Sequence, residues 1–143
     1  MLRVRDAEPH DAIEISQLLG QLGYKASPDQ VLEKLRLLTA SPSDRVLVAT
    51  HPDHLVGCIG LHTMELFHAP GRLGRITALV VADAARRVGV GSALVQAGEE
   101  HFRSCECVRA EVTSGDHRPE AHRFYEALGY TLDERRFLKR FAI

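Results

Sequence analysis

Apolar and polar positions along the chain change their spacing several times, and each change marks an element. Leu2 to Arg5 alternates as a short strand does. After Asp6, expected to cap a helix, Ala12, Ile15, Leu18, Leu19 and Leu22 fall on one helical face, and Gly23 ends the segment. Ser27-Pro28-Asp29-Gln30 reads as a capping box with proline at the first helical position. It opens a second helix that buries Val31, Leu35 and Leu38. The period then changes: Arg45 to Thr50 and Leu55 to Leu61 are β-rich runs, joined by a hairpin turn at His51-Pro52-Asp53-His54. His62 to Gly74 is looser and more polar, with Pro70-Gly71 breaking it. Ile76 to Ala82 is almost unbroken apolar sequence, the pattern of a central strand covered on both faces.

The second half repeats this alternation. Arg86 to Arg103 reads as a helix with Val90, Leu94, Ala97 and His101/Phe102 along its apolar stripe, and Cys107 to Thr113 as a strand. A loop from Ser114 to His117 leads to Pro119, which sets the first turn of a helix carrying Ala121, Phe124, Tyr125 and Leu128. Gly129 stops it, and Tyr130 to Asp133 with Arg136 to Phe141 is expected to close the chain as a β-hairpin. Without linker, repeat or low-complexity tract, the pattern predicts one α/β domain over residues 1–143, a mixed sheet with helices on both faces.

Composition narrows the function classes. The 143 residues are 45% apolar and 26% charged, which is a globular balance, and the net charge of −1 carries no electrostatic footprint for nucleic acid. The opening residues lack a secretory signal and no apolar run reaches membrane-spanning length, so a cytoplasmic protein without a membrane partner is expected. Cys58, Cys105 and Cys107 are an odd set without framework spacing, which fits reduced thiols.

The stretch with most chemical content is Leu79-Val80-Val81-Ala82-Asp83-Ala84-Ala85-Arg86-Arg87-Val88-Gly89-Val90-Gly91-Ser92. A buried strand runs into a short loop, and two glycines sit at a helix start. Glycine lets the backbone approach a bulky anion, and the free N–H groups of a first helical turn attract phosphate. Arg86 and Arg87 add charge. A Gly-x-Gly at this place also serves close packing of helix on strand. A Rossmann site fits poorly, because the third glycine position is Leu94 and the motif follows a late strand; the P-loop Gly-Lys-Ser/Thr is absent.

Arg86-x-x-Gly89-x-Gly91 resembles the Arg/Gln-x-x-Gly-x-Gly/Ala signature of the GNAT superfamily of acetyl-CoA-dependent N-acetyltransferases. Ala121-His122-Arg123-Phe124-Tyr125-Glu126-Ala127-Leu128-Gly129-Tyr130 is similar to its second signature, Ala-x-x-Phe-Tyr-x-x-x-Gly-Phe/Tyr. The resemblance covers essentially the whole chain. It implies a mostly antiparallel sheet with splayed central strands and acetyl-CoA as cosubstrate between Ile76–Ala82 and Cys107–Thr113. Pantetheine would bond the backbone of Leu79, Val80 and Val81, and the pyrophosphate would sit on N–H groups of Arg86, Arg87, Val88, Gly89, Val90, Gly91 and Ser92. It implies that Tyr125 protonates the departing thiolate and that Glu111 stands where some members carry a general base. The family's proline before the cradle is Asp83 here, and a frequent asparagine is Arg118, which would reach a phosphate instead.

The implied reaction is acetyl transfer to a primary amine of a small molecule or protein, by direct attack on the thioester and without a metal. The alternatives are a non-catalytic acyl-CoA-binding module of the same fold and a nucleotide-binding regulatory domain; a homodimer is expected only by analogy. His62, Glu65 and His68 border the acceptor side in this fold as candidate amine ligands or bases, against a plain solvated loop. Cys105-x-Cys107 with His101 is too sparse for zinc. Arg135, Arg136, Lys139 and Arg140 read as the exposed side of a final strand.

Overall fold

Five segments of alternating side chains form one sheet in the computed structural model of the chain, which describes residues 1–85, 88–113, 119–133 and 136–142. The strands are β1 (Arg3–Asp6), β2 (Asp44–Thr50), β3 (Leu55–Glu65), β4 (Arg72–Val81) and β5 (Cys107–Val112), in the spatial order β1-β2-β3-β4-β5. Neighbours are antiparallel except β4 and β5, which are parallel. Helices α1 (Ala12–Gln21) and α2 (Pro28–Ala40) lie between β1 and β2, α3 (Val90–Ser104) connects β4 to β5, and α4 (Pro119–Ala127) follows β5. The chain divides into two compact units, Met1–Val112 with the sheet and α1 to α3, and Thr113–Ile143 with α4.

In the first unit each sheet face has its own core. Val48, Cys58 and Val80 are buried in one cluster with Ala12, Ile15 and Leu18 of α1 and Val31 and Leu35 of α2. On the other face α3 presses so close that strand glycines leave it room. A Cβ on Gly57 would stand 2.9 Å from Val90, and one on Gly74 would stand 2.4 Å from the Phe102 ring. From the helix side, a Cβ on Gly98 would meet Leu61 at 2.9 Å. Val90, Leu94, Val95 and Phe102 are buried in consequence, each worth about 1.5–3 kcal/mol relative to exposure. The capping box at Ser27 forms as expected: Ser27 Oγ accepts from the Gln30 N–H at 3.2 Å and Gln30 Oε1 accepts from the Ser27 N–H at 2.9 Å.

In the second unit α4 begins at Pro119, and Gly129 (φ +94°) ends the helical run. The Tyr125 carbonyl accepts from the Leu128 and Tyr130 N–H groups, both at 3.0 Å. The Tyr125 ring meets Phe124 and Tyr130 edge-on, with centroids 5.0 and 5.7 Å apart.

Several expectations are corrected. Asp6 caps no helix; it ends β1 and holds Arg45 through two hydrogen bonds of 2.7 and 3.1 Å. The turn before α1 is built instead by Pro9–Asp11, where Asp11 accepts from the Glu8 N–H. His62 to Glu65 and Arg72 to Arg75 are strand, because β3 and β4 keep pairing out to Glu65 and Arg72. The helix expected from Arg86 starts at Val90, since Gly89 turns left-handed just before it. β4 is interior to the sheet but not covered on both faces, for Thr77 and Ala78 are exposed. The closing hairpin is absent among the described residues: Leu132, Phe137, Leu138 and Phe141 are exposed and have no ladder partner. Without a paired neighbour, alternation alone does not make a strand.

Gly74→Ala tests the close approach of α3. The added methyl overlaps the Phe102 ring, and overpacking of this kind typically costs about 1–3 kcal/mol. Urea denaturation is expected to show that loss, and Phe102→Leu in the same chain should recover part of it.

Candidate functional site

The feature that organises the site is a strand with a free edge. β4 is paired with β3 along its whole length, from Arg72↔Glu65 to Val81↔Gly57. Its pairing with β5 stops at Ile76↔Val112, where β5 ends. From Thr77 to Val81, therefore, the backbone edge of β4 facing β5 has no ladder partner among the described residues. The stop coincides with a bulge: Gly60 is opposite Ala78 and Leu61 opposite Ile76, so Thr77 is the extra residue. Bulges re-aim side chains and end pairing. Thr77 Oγ1 lies over Gly60, where a Cβ would be only 2.5 Å away. Leu79, Val80 and Val81, expected to meet pantetheine, lie on this free edge.

The carboxyl end of β4 feeds the second part of the site. A short 3-10 turn, Asp83–Ala85, leads to Val88 and Gly89 and into α3. Gly89 has φ +81° and ψ +17°, a conformation costly for any residue with a Cβ, while the space around it is open. Its glycine is thus required by backbone shape. The first intrahelical bond at this end runs from the Ala93 N–H to the Gly89 carbonyl at 3.0 Å. Gly89 has no side-chain capping bond, and the first turn carries no acidic residue. The N–H groups of Val90, Gly91 and Ser92 therefore form an uncapped, positive helix end, suited to an anion. Arg86, Arg87 and Arg118, expected to add charge, lie outside the described residues, as does the loop from Ser114 to His117.

A transverse row of charged side chains crosses the sheet beside the free edge. Asp44, His62, Arg75 and Glu111 are successive register partners on β2, β3, β4 and β5, so all four share one face, the face that α1 and α2 cover further along. Asp44 Oδ1 and His62 Nδ1 are 2.9 Å apart. Arg75 donates to Glu111 at 3.2 Å, and Arg109 donates to its other oxygen at 2.9 Å. Arg75 Nε is buried without a partner among the described residues. The hydrogen bond from Arg109, and then that from Arg75, hold the Glu111 carboxyl below its usual range against the opposing effect of burial. Glu111 is thus the centre of two ion pairs.

Burial raises the Tyr125 phenol above its ordinary value, which keeps the hydroxyl protonated well into alkaline pH. Glu65 is engaged by Arg72, and His68 is exposed. His101 stands 3.7 Å from the Cys105 sulfur and 3.3 Å from Arg45, on a groove of 570 Å³ lined also by Asp6 and Glu100. No cluster of metal ligands forms there or elsewhere among the described residues. Arg136, Lys139 and Arg140 are exposed, and Arg135 lies outside the described residues. No described helix is long and apolar enough to cross a membrane. Asp44 and Arg75 were missed in the sequence; the alternation Ile59, Leu61, Thr63 carries β3 past the point where it was expected to end and would have placed His62 on the opposite face.

The first unit thus joins a sheet with one strand half released to a helix N-terminus that follows its open end. The chain belongs to the acetyltransferase (GNAT) family, whose model matches residues 12–130. It is 30% identical over 134 residues, 94% of this chain and 84% of the other, to the aminoalkylphosphonate N-acetyltransferase of Salmonella typhimurium. In fold it is similar to a transcriptional regulator from Bacillus halodurans (TM-score 0.88, 21% identity, 99% of this chain and 100% of that one). It is likewise similar to glucosamine-6-phosphate N-acetyltransferase from Arabidopsis thaliana (TM-score 0.85, 19% identity, 99% of each chain). The protein is accordingly an acyltransferase that moves an acetyl group from acetyl-CoA to an amine.

The Glu111 ion pairs make stability depend on pH in a fixed sense. A carboxylate with a lowered folded-state pKa contributes stability above its unfolded pKa, and that contribution vanishes as pH falls through the folded value. Because the groups are half exposed, the contribution is screened to about 0.5–1 kcal/mol. Glu111→Gln is expected to lower the denaturation midpoint at pH 7 and to converge on the wild type as acidification protonates the folded-state carboxyl. Equal midpoints at pH 7 would show that the two arginines add nothing.

Proposed function

We propose that the acceptor is a small primary amine carrying an anionic group, of the aminoalkylphosphonate kind, and that attack on the thioester is direct. The 30% identity to an enzyme named for such acceptors supports this class. The cosubstrate reading rests above all on the unpaired edge of β4 from Thr77 to Val81 ending at the uncapped start of α3. Pantetheine would add to that edge through Leu79, Val80 and Val81 as a strand adds to a sheet. The pyrophosphate would take the N–H groups of Val88 to Ser92, with Arg86, Arg87 and Arg118 supplying charge. Backbone N–H groups near Val81 would stabilise the oxyanion. Tyr125 is the general acid of this reading: its phenol, kept protonated by burial, donates to the leaving thiolate. Glu111 orders Arg75 and Arg109 in this scheme and does not itself take the amine's proton.

Acetyl-CoA should raise the thermal midpoint, because a ligand at about a hundred times its dissociation constant adds roughly 2.7 kcal/mol. No shift at millimolar acetyl-CoA would remove the cosubstrate reading. Gly91→Val puts a branched side chain in the first turn of α3; calorimetry should show weakened CoA binding out of proportion to any loss of stability.

Tyr125→Phe keeps the ring packed on Phe124 and Tyr130 and removes the hydroxyl. Turnover of 2-aminoethylphosphonate, followed by CoA release, is expected to fall about 10²–10⁴-fold with acetyl-CoA affinity nearly unchanged. An unchanged kcat would make Tyr125 a packing residue only.

A further inference from the structure

We propose that His62, oriented by Asp44, is the general base that takes the proton from the acceptor amine. The inference rests on the acetyl-transfer reading above and adds the residue that this reading leaves unnamed.

Three observations carry it. The first is a hydrogen-bonded chain: Ser41 Oγ donates to Asp44 Oδ2 at 2.7 Å, and Asp44 Oδ1 meets His62 Nδ1 at 2.9 Å. A carboxylate on Nδ1 fixes the proton there, so Nε2 carries the lone pair that accepts a new one. The exposure pattern fits those roles, for His62 is 34% exposed and Asp44 19%. The second observation is position. Gly60 is the previous residue on the same face of β3, and Thr77 Oγ1 overhangs it. His62 is therefore one same-face step, about 7 Å, from the bulge at which the edge of β4 opens. Between them the floor is low: Gly60 has no side chain and its partner Ala78 has only an exposed methyl. The third is elimination. Glu111 is taken by Arg109 and Arg75, and Glu65 by Arg72, whereas no hydrogen bond engages His62 Nε2 among the described residues.

The charged groups facing His62 are Asp44 on β2, Arg75 on β4 and, one strand further, Glu111 with Arg109. In the step itself, neutral His62 takes a proton from the ammonium at Nε2, directly or through one water, and the imidazolium is held by Asp44. The freed amine lone pair forms the C–N bond, the C–S bond breaks and the thiolate takes the phenol proton of Tyr125, while the second proton of the attacking nitrogen, lost as the amide forms, restores that phenol through water. His62 then returns its proton to solvent, giving amide, CoA thiol and one released proton. Asp44 does not touch the substrate and is a positioning residue.

His62→Asn tests this, since the Asn amide can still donate to Asp44 but cannot accept the amine's proton. With acetyl-CoA and 2-aminoethylphosphonate as the amine probe, kcat should fall about 10²–10⁴-fold, with the KM for acetyl-CoA and the thermal midpoint near those of wild type. The acid limb of the wild-type kcat/KM profile should vanish in the variant, and added imidazole should restore part of the rate of His62→Ala. Asp44→Asn should reduce kcat less and leave KM alone. His62→Asn with kcat within about threefold of wild type and an unmoved pH profile would overturn the base assignment while leaving acetyl transfer standing. A wild type that binds acetyl-CoA but acetylates neither this amine nor any of a panel would overturn the transfer reading, and the base with it.

Discussion

The site depends on β4 having a hydrogen-bond partner on one side and losing it on the other. Along β3 the ladder continues past the Thr77 bulge to Val81, which holds the strand in place; along β5 it ends at Ile76, so the same strand presents free backbone groups. Unpaired strand edges ordinarily invite another chain. Here the edge is short, interior to the sheet and set off by the Thr77 bulge, which suits an extended amide-bearing ligand better than a protein strand. The parallel relation of β4 and β5 completes the arrangement. A parallel pair needs a crossover, the crossover is α3, and its N-terminus must follow the carboxyl end of β4, where the edge is free. Edge and helix end are brought together by topology.

The distance between helix and sheet is then fixed by missing side chains. Gly57 lies beneath Val90, the first residue of α3, and pairs with Val81, the last residue of β4. The start of α3 thus rests on a glycine of a neighbouring strand. Gly98 and Gly74 repeat the device further along, against Leu61 and Phe102. Gly89 has another function, since the space around it is open and its left-handed backbone alone demands it.

Much of this was legible in the sequence, and the reasons are local. Ser27-Pro28-Asp29-Gln30 carries its own cap, so the start of α2 was readable to the residue. Gly89 marked the helix start because its left-handed backbone conformation selects glycine. The misses are non-local. Asp6 has the chemistry of a cap, but Arg45, thirty-nine residues away, claims it. The two ion pairs of Glu111 come from Arg75 and Arg109, of which Arg75 is thirty-six residues away. The row from Asp44 to Glu111 exists only once four strands are in register, and no spacing along the chain announces it. The closing hairpin was expected from alternation, which describes what a strand looks like when a partner is present.

The three thiols occupy different chemical worlds. Cys58 is buried in the α1–α2 core, and burial pushes its pKa up to about 12, so it is almost never a thiolate. Cys105 and Cys107 stand half exposed on either side of Glu106, which itself adopts a left-handed backbone at φ +63°. An electrophile or oxidant entering from solvent therefore meets a matched pair at the end of α3 and leaves the core sulfur alone. Chemical labels attached at that turn would report on the far end of the very helix whose first residues follow the free edge of β4.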